Sequence, residues 1–243
     1  MHIIKLNAIE STSTFLKDLA KSSCIKNHTI VTAETQFGGR GQMGTVWESE
    51  PGKNLIFSLF VENDSFLLEH AVYLNYAVSI AIYNTLIEYK LPKLAIKWPN
   101  DILSDSNKIC GLLIENSIRL NKINHSIIGV GINVNQEHFS ENLITATSIK
   151  NQLGITINKE DLLDNIGKAI ISEINECVPE NFSILKNRYL SILYKYQKPT
   201  MFQQKDGVVF MGKIVDVNEI GELCVEREDE SISYFGLKEI KML

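Results

Sequence analysis

The chain has 243 residues, of which 44% are hydrophobic and 22% charged, and its formal net charge at pH 7 is −5. This balance is typical of a globular protein with enough apolar residues for a core. Its lysines and arginines form no dense run, which argues against duplex nucleic-acid binding because such proteins concentrate positive charge on one face. No stretch approaches the ~20 apolar residues of a membrane span, and the first residues lack the pattern of a signal peptide.

The four cysteines are widely separated along the chain and form no CxxC pair; they are Cys24, Cys110, Cys177 and Cys224. This spacing is typical of buried or incidental thiols in a reducing compartment rather than of a disulfide or zinc framework. We therefore expect the protein in the cytoplasm.

The apolar pattern predicts helices and strands in alternation. After a short apolar run at residues 3–6, the hydroxyl cluster at 11–14 precedes a helical stripe and so marks a helix start. Alternation predicts strands at residues 29–36, 54–61, 94–98, 102–103, 108–115 and 126–134, with a turn at 105–107. Helical spacing predicts helices at residues 70–89, 159–177 and 183–194.

The pattern changes after Pro199 to short β segments, at residues 208–217, 221–230 and 231–240, separated by turn signals at 206–207 and 219–221. A segment of this length suits a small SH3-like barrel that packs on a larger domain, since alone it is marginally stable. We predict domains at residues 1–195 and 196–243. The fold class is α+β, with a mixed central sheet flanked by helices.

A glycine-rich stretch at residues 38–44 (GGRGQMG) leads to Trp47. Glycines let backbone N–H groups approach an anion, and Arg40 offers a fixed fork for phosphate or carboxylate, so the stretch fits a ligand-binding loop. A flexible surface loop is the alternative.

The next feature, residues 97–101 (KWPND), places a lysine beside an aspartate, as a magnesium–nucleotide complex requires. Here the alternative is a turn whose Asn and Asp cap backbone groups.

Two later strands carry further candidates. Lys108 opens an apolar strand in which Gly111 leaves room near the backbone, in the sequence KICGLLIE. The strand GVGINVN has alternate glycines, Gly129 and Gly131, that clear one face for a flat ligand, with Asn133 as a polar end. Taken singly, these features are better explained by a solvated lysine and by a weakly patterned glycine strand.

In this order, however, the four motifs closely resemble the biotin–protein ligase family, from about Ser11 to the end of the chain. Ser11-Thr12 matches the family's Ser-Thr pair, Gln36 its glutamine before the glycine loop, and the segment after Pro199 its C-terminal module. The resemblance implies a class II aminoacyl-tRNA synthetase/biotin ligase-like sheet with an SH3-like barrel.

The implied activity is formation of biotinyl-5'-AMP from biotin and ATP with Mg²⁺, then transfer of biotin to a lysine of a biotin carboxyl carrier protein or domain. Regulatory relatives carry an N-terminal helix-turn-helix, whereas this catalytic pattern starts at residue 1. We therefore expect a monofunctional enzyme with no specific DNA binding and no membrane partner. The carrier's identity and a homodimer are left open.

The resemblance implies catalytic roles for Arg40, Asp101 and Lys108, and metal binding by Asp101 and Asn133. Ser11, Thr12 and Gln36 would hold the ureido end of biotin, and Trp47 would lie against the adenylate. The whole expected biotin- and ATP-binding set comprises Ser11, Thr12, Ser13, Gln36, Gly39, Arg40, Gly41, Gln42, Trp47, Lys97, Asn100, Lys108, Gly111, Gly129, Gly131 and Asn133.

Two positions depart from the family pattern: many relatives have arginine in place of Gln42 and asparagine in place of Ser13. A neutral glutamine forms weaker hydrogen bonds than arginine, which predicts faster escape of the adenylate unless neighbours such as Met43 have adapted.

The alternatives to a biotin ligase are a lipoate–protein ligase, which shares the fold but not the motifs, and a non-catalytic biotin sensor. A sensor need not keep both Lys108 and Asp101.

Overall fold

The computed structural model describes residues 1–22, 25–63 and 66–243, and Cys24 lies outside them. Seven strands form the first sheet, in the order β1-β2-β3-β7-β6-β5-β4. β1 and β2 are parallel and the other neighbours are antiparallel, so the sheet is mixed, as predicted. The strands are β1 His2–Ile9, β2 Thr29–Gln36, β3 Leu55–Glu62, β4 Ala95–Lys97, β5 Asp101–Ser104, β6 Asn107–Arg119 and β7 Lys122–Ile132.

Five α-helices occur among the described residues: α1 Thr12–Ser22, α2 Ala71–Ile87, α3 Ile149–Leu153, α4 Lys159–Asn175 and α5 Phe182–Ser191. Helix α2 packs against α4 and α5 on one side of the sheet. It is apolar on all sides because neighbouring elements surround it. Helix α1 covers the other side through contacts with β2, β3 and β7.

The alternation of side chains along each strand explains how one sheet supplies both cores. Ile30 and Leu59 belong to the main core beneath α2, whereas their chain neighbours Val31 and Phe60 pack with Leu16 of α1. Successive side chains of a strand point to opposite faces. A strand covered on both faces becomes a continuous apolar run, which is the pattern of β3, LIFSLFVE.

The second sheet is antiparallel, in the order β11-β10-β9-β8-β12. Its strands are β8 Pro199–Gln204, β9 Val209–Val217, β10 Leu223–Arg227, β11 Ile232–Phe235 and β12 Ile240–Met242. Trp98 Nε1 donates to the Gly221 carbonyl at 3.0 Å, and Lys186 Nζ lies 2.8 Å from Asp216 Oδ2. The C-terminal sheet therefore packs against the larger part of the chain, as expected for an SH3-like unit. The domain division at residue 195 stays a prediction.

Local predictions differ from the structure mainly at short elements. The run at residues 3–6 is part of the longer β1, and the turn before β6 comprises Asp105 and Ser106, both with positive φ. The five-residue helix α3 was not predicted, because its signals are only a Ser148 cap and a left-handed Gly154.

The described cysteines, Cys110, Cys177 and Cys224, are buried free thiols. Burial raises the pKa of the Cys177 thiol to about 12, which keeps it protonated and unreactive at neutral pH. None of the helices in the described ranges is long and apolar enough to cross a membrane.

Helix α2 offers a matched pair for testing the core. Ile80 is 1% exposed, whereas Ile87 on the same helix is 49% exposed. We expect Ile80→Ala to lower the free energy of unfolding by about 3 kcal/mol, through lost burial and a cavity, and Ile87→Ala by less than about 1 kcal/mol. Urea denaturation measures both values. Equal losses would contradict the assignment of α2 as the central core helix.

Candidate active site

A cavity of about 240 Å³ lies over the middle of the first sheet and collects most of the residues predicted to form the site. Helix α1 contributes one wall, the glycine loop covers part of the opening, and β6 and β7 form the floor. The predicted residues that line it are Ser11, Thr12, Ser13, Gln36, Arg40, Gly41, Gln42, Trp47, Asn100, Asp101, Lys108, Gly111, Gly129 and Gly131.

Three predicted residues are not among the lining residues. Gly39 lies directly behind the lining, where its carbonyl accepts a hydrogen bond from Trp47 N at 2.9 Å. Lys97 ends β4 and pairs in register with Asp101. Asn133 is 4% exposed, and its main chain is bonded to Ile109 and Ile149. Their roles as ligand-binding residues therefore stay predictions.

One end of the cavity carries a buried network of hydroxyl groups and one amide. Gln36 Oε1 accepts hydrogen bonds from Thr12 N at 2.7 Å and from Thr12 Oγ1 at 2.9 Å. Ser58 Oγ lies 2.8 Å from both Thr12 Oγ1 and Ser13 Oγ. Ser11, Thr12 and Ser13 are all less than a tenth exposed. Because hydroxyls both donate and accept, this end can pair with a ligand that presents both kinds of group.

The floor of the cavity is made of backbone. Gly111 of β6 pairs with Gly131 of β7, and the indole of Trp47 lies against them. A Cβ at Gly131 would be 2.4 Å from Trp47 Cε2, and one at Gly111 would be 3.0 Å from Cζ3. Glycine is required at Gly131 because any side chain would occupy the place of the indole.

The Trp47 Nε1 donor is buried and has no hydrogen-bond partner within the described part of the chain. Leaving a buried donor unpaired costs about 1–3 kcal/mol. Native proteins rarely retain such a group unless it serves another purpose. A ligand acceptor reaching this nitrogen would recover the cost.

The opposite end of the cavity is charged. Lys108 Nζ lies 2.6 Å from Asp101 Oδ1 and 5.6 Å from the centre of a Trp47 ring. The contact with Asp101 is an ion pair but is not aligned as a hydrogen bond, and Oδ1 has no other donor among the described residues. The pair is thus held by charge rather than by directed bonds, so an incoming anion can compete for Lys108.

Arg40 lies at the edge of the cavity and is held by Glu115 of β6, with 3.2 Å between Nη2 and Oε2. Glu115 also forms an ion pair with Lys17 of α1. One carboxylate therefore contacts two cations, which leaves a net positive charge at this edge of the cavity. Asn100 has a structural role: its Nδ2 donates to the Leu112 carbonyl, which joins the KWPND turn to β6. The capping alternative thus describes Asn100 but not Asp101.

Sequence reasoning missed several residues of the lining, among them Ser58, Leu237 and Lys238. Ser58 had a detectable signal, since it is the only hydroxyl in the apolar strand β3. Leu237 and Lys238 had none, because they come from the C-terminal sheet and reach the cavity only through tertiary folding.

Of the predicted metal pair, Asp101 lines the cavity and Asn133 is not among the lining residues, and their role as metal ligands stays a prediction. Among residues 1–22, 25–63 and 66–243, no group of three or more His, Cys, Asp or Glu side chains is arranged to hold a metal ion. Asp101 is therefore the predicted metal ligand that lines the cavity.

The fold and this two-ended cavity define an α+β protein whose cavity suits a small molecule carrying both amide-like and anionic groups. Residues 6–133, more than half of the chain, match the Biotin/lipoate A/B protein ligase family. The chain therefore belongs to the Biotin/lipoate A/B protein ligase family. This confirms the predicted family and the expectation that the chain is an enzyme.

Relatives extend the likeness beyond the family match. The chain is 28% identical to the bifunctional ligase/repressor BirA of Bacillus subtilis, over 98% of this chain and 72% of that protein. It is 30% identical to BirA of Escherichia coli K12, over 92% and 68%. The structure of biotin protein ligase from Aquifex aeolicus in complex with biotin and ATP superposes with a TM-score of 0.82 at 24% identity, covering 100% of this chain and 98% of that one. The predicted fold class is thereby confirmed.

The packing of Trp47 on the glycine floor predicts a spectroscopic effect. We expect Gly131→Ala to expel the indole from the floor, because the new methyl group cannot share its space, and so to shift tryptophan emission to longer wavelength and increase acrylamide quenching. Gly236→Ala is the control, since a Cβ there meets only ordinary contacts of 3.4 Å or more. An unchanged spectrum for Gly131→Ala, relative to Gly236→Ala, would show that Trp47 does not rest on the floor.

Proposed function

We propose that the enzyme joins biotin and ATP to form biotinyl-5'-AMP and then transfers biotin to a lysine of a biotin carboxyl carrier protein. The observation that supports this best is the polarity of the cavity. A hydroxyl and amide network forms one end, a flat backbone floor the middle, and the cation Lys108 the other end, while Arg40 lies at the edge. Biotin has the same sequence of groups: a ureido ring, an apolar chain and a carboxylate.

The buried network favours a ureido group over an apolar ring. A ureido group presents a carbonyl and two N–H groups, which the hydroxyls of Ser11, Thr12 and Ser13 and the amide of Gln36 can satisfy. The dithiolane ring of lipoate offers no comparable donors or acceptors. The hydroxyls already pair with one another and with Gln36, so lipoate would gain no hydrogen bonds from this end, whereas a ureido group can use the donors and acceptors that remain. This supports biotin over lipoate as the substrate.

In the first step, the biotin carboxylate attacks the α-phosphorus of ATP. A new bond joins the carboxylate oxygen to phosphorus, and the bond to the bridging oxygen breaks as pyrophosphate leaves. Two anions must approach each other, and Lys108 and Arg40 offset their repulsion. Each cation is held by a carboxylate, Asp101 or Glu115. Substrate anions would replace those partners at little cost in charge.

A Mg²⁺ ion that accompanies the nucleotide would supply further charge neutralisation of the phosphates, with Asp101 as the available carboxylate. Trp47 would lie against the adenylate, where its unpartnered Nε1 is available to an acceptor. The glycine loop would limit access of water to the mixed anhydride.

In the second step, the carrier lysine attacks the acyl carbon of the adenylate, the new amide bond forms, and AMP leaves. The attacking amine must be uncharged. Once Lys108 is engaged by the substrate, Asp101 is free to accept or orient the proton that the amine loses. The alternative role for Asp101, as the metal ligand alone, predicts that its loss affects the first step as strongly as the second.

The names of relatives support the same activity. The chain is 26% identical, over 70% of its length, to the biotin--[acetyl-CoA-carboxylase] ligase of Paracoccus denitrificans. The structure of biotin protein ligase from Leishmania major in complex with biotinyl-5-AMP superposes with a TM-score of 0.67 at 21% identity. A carrier domain of a biotin-dependent carboxylase is therefore the partner that we propose.

Pyrophosphate exchange into ATP tests the first step, and an apo carrier domain tests the second. Biotin should drive the exchange and lipoate should not, and the carrier should then gain biotin on one lysine. Exchange with lipoate alone would favour the lipoate ligase alternative. Tight binding of biotin without any exchange would favour the non-catalytic sensor.

Replacement of Lys108 tests the charged end of the cavity. We expect Lys108→Ala to slow biotin-dependent exchange about 10²- to 10³-fold, because removing one charge-assisted contact to a reacting anion costs about 3–4 kcal/mol in the transition state. Lys122→Ala, on the neighbouring strand and outside the cavity lining, is the control. Near-normal exchange by a folded Lys108→Ala enzyme would contradict the assignment of this residue.

A further inference from the structure

Lys238 connects the C-terminal sheet to the glycine loop. It lies between β11 and β12 and lines the cavity together with Leu237. Its Nζ donates a hydrogen bond of 2.9 Å to the carbonyl of Met43, 195 positions away in the sequence. A side chain from the second sheet thus completes the lining of a cavity that belongs to the first.

The charge state of the cavity explains why this contact forms. Arg40 and Lys108 are each within ion-pair distance of a carboxylate, whereas no carboxylate of the described residues pairs with Lys238. The neighbouring Glu239 is engaged elsewhere, since its Oε2 accepts from Gly236 N at 2.8 Å. The ammonium of Lys238 is therefore left to a neutral carbonyl on the loop.

The tip of the loop, residues 42–44, is otherwise bonded mainly to the loop itself. Gly41 N donates to the Thr45 carbonyl at 2.7 Å, and Thr45 N donates to the Gln42 carbonyl at 3.2 Å. Met43 has φ 49° and ψ 43°, a left-handed conformation that residues with a side chain rarely adopt. Such a conformation persists when surrounding contacts favour it, and the Lys238 bond is a contact to this residue's own carbonyl.

We propose that Lys238 is a positioning residue that fastens the loop tip over the cavity, so that the C-terminal sheet controls how often the loop opens. The inference rests on the proposed function in one respect, namely that the species retained beneath the loop is biotinyl-5'-AMP. A mixed anhydride must be kept from water until the acceptor lysine arrives, and a loop fastened by an exposed hydrogen bond can still open for that lysine.

Tryptic cleavage after Arg40 reports loop opening without any substrate. Cleavage requires the loop to leave its bonded conformation, so its rate follows the population of the open state. We expect Lys238→Met, which keeps the length of the side chain but removes the donor, to speed release of the fragment 1–40 roughly fivefold. Lys238→Arg should restore slow cleavage. Lys205→Met, exposed on the same sheet and outside the cavity lining, should match the wild type.

Release of adenylate tests the consequence for the reaction. With biotin, ATP and no acceptor, Lys238→Met should release biotinyl-5'-AMP roughly fivefold faster than the wild type or Lys205→Met, with the KM for biotin little changed. Circular dichroism checks that all variants are folded. If the wild type forms no adenylate, the proposed function fails, and cleavage after Arg40 alone decides the role of Lys238. Equal rates for Lys238→Met and Lys205→Met in the cleavage assay would overturn the inference.

Discussion

The pairing of Gly111 with Gly131 across β6 and β7 is the constraint around which the site is organised. Two glycines side by side leave the sheet surface bare, and only there can the indole of Trp47 lie flat on backbone. The backbone N–H of Trp47 donates to the carbonyl of Gly39, so the position of Trp47 also positions the start of the glycine loop. The shape of the cavity therefore depends on the absence of side chains at Gly111 and Gly131 as well as on the side chains that line it.

Two cations of the cavity are each held by a carboxylate. Lys108 is held by Asp101, and Arg40 shares Glu115 with Lys17. Unpaired buried charges would destabilise the fold, whereas paired ones keep the cations available, since a substrate anion can take the place of a wall carboxylate. Lys238 differs because its partner is a carbonyl of the loop, so it links loop position to the second sheet.

Long, periodic elements were predictable because their patterns are local. The strand predicted at residues 29–36 coincides with β2, and the helix predicted at 70–89 contains α2. Short elements such as α3 were missed, because a pattern of five residues is too short to distinguish a helix from a loop. The full extent of β6 and β7 was also missed, since their hairpin continues past the apolar residues that marked them.

The sequence by itself determined the family, the α+β class and about half of the residues that line the cavity, because the four motifs carry their chemistry in consecutive residues. The tertiary structure decided how those side chains are paired: that Asp101 faces Lys108 and that Glu115 holds Arg40. It also decided that Lys238 reaches the loop. Such contacts depend on how distant segments pack, and no local pattern of residues encodes the distance between them.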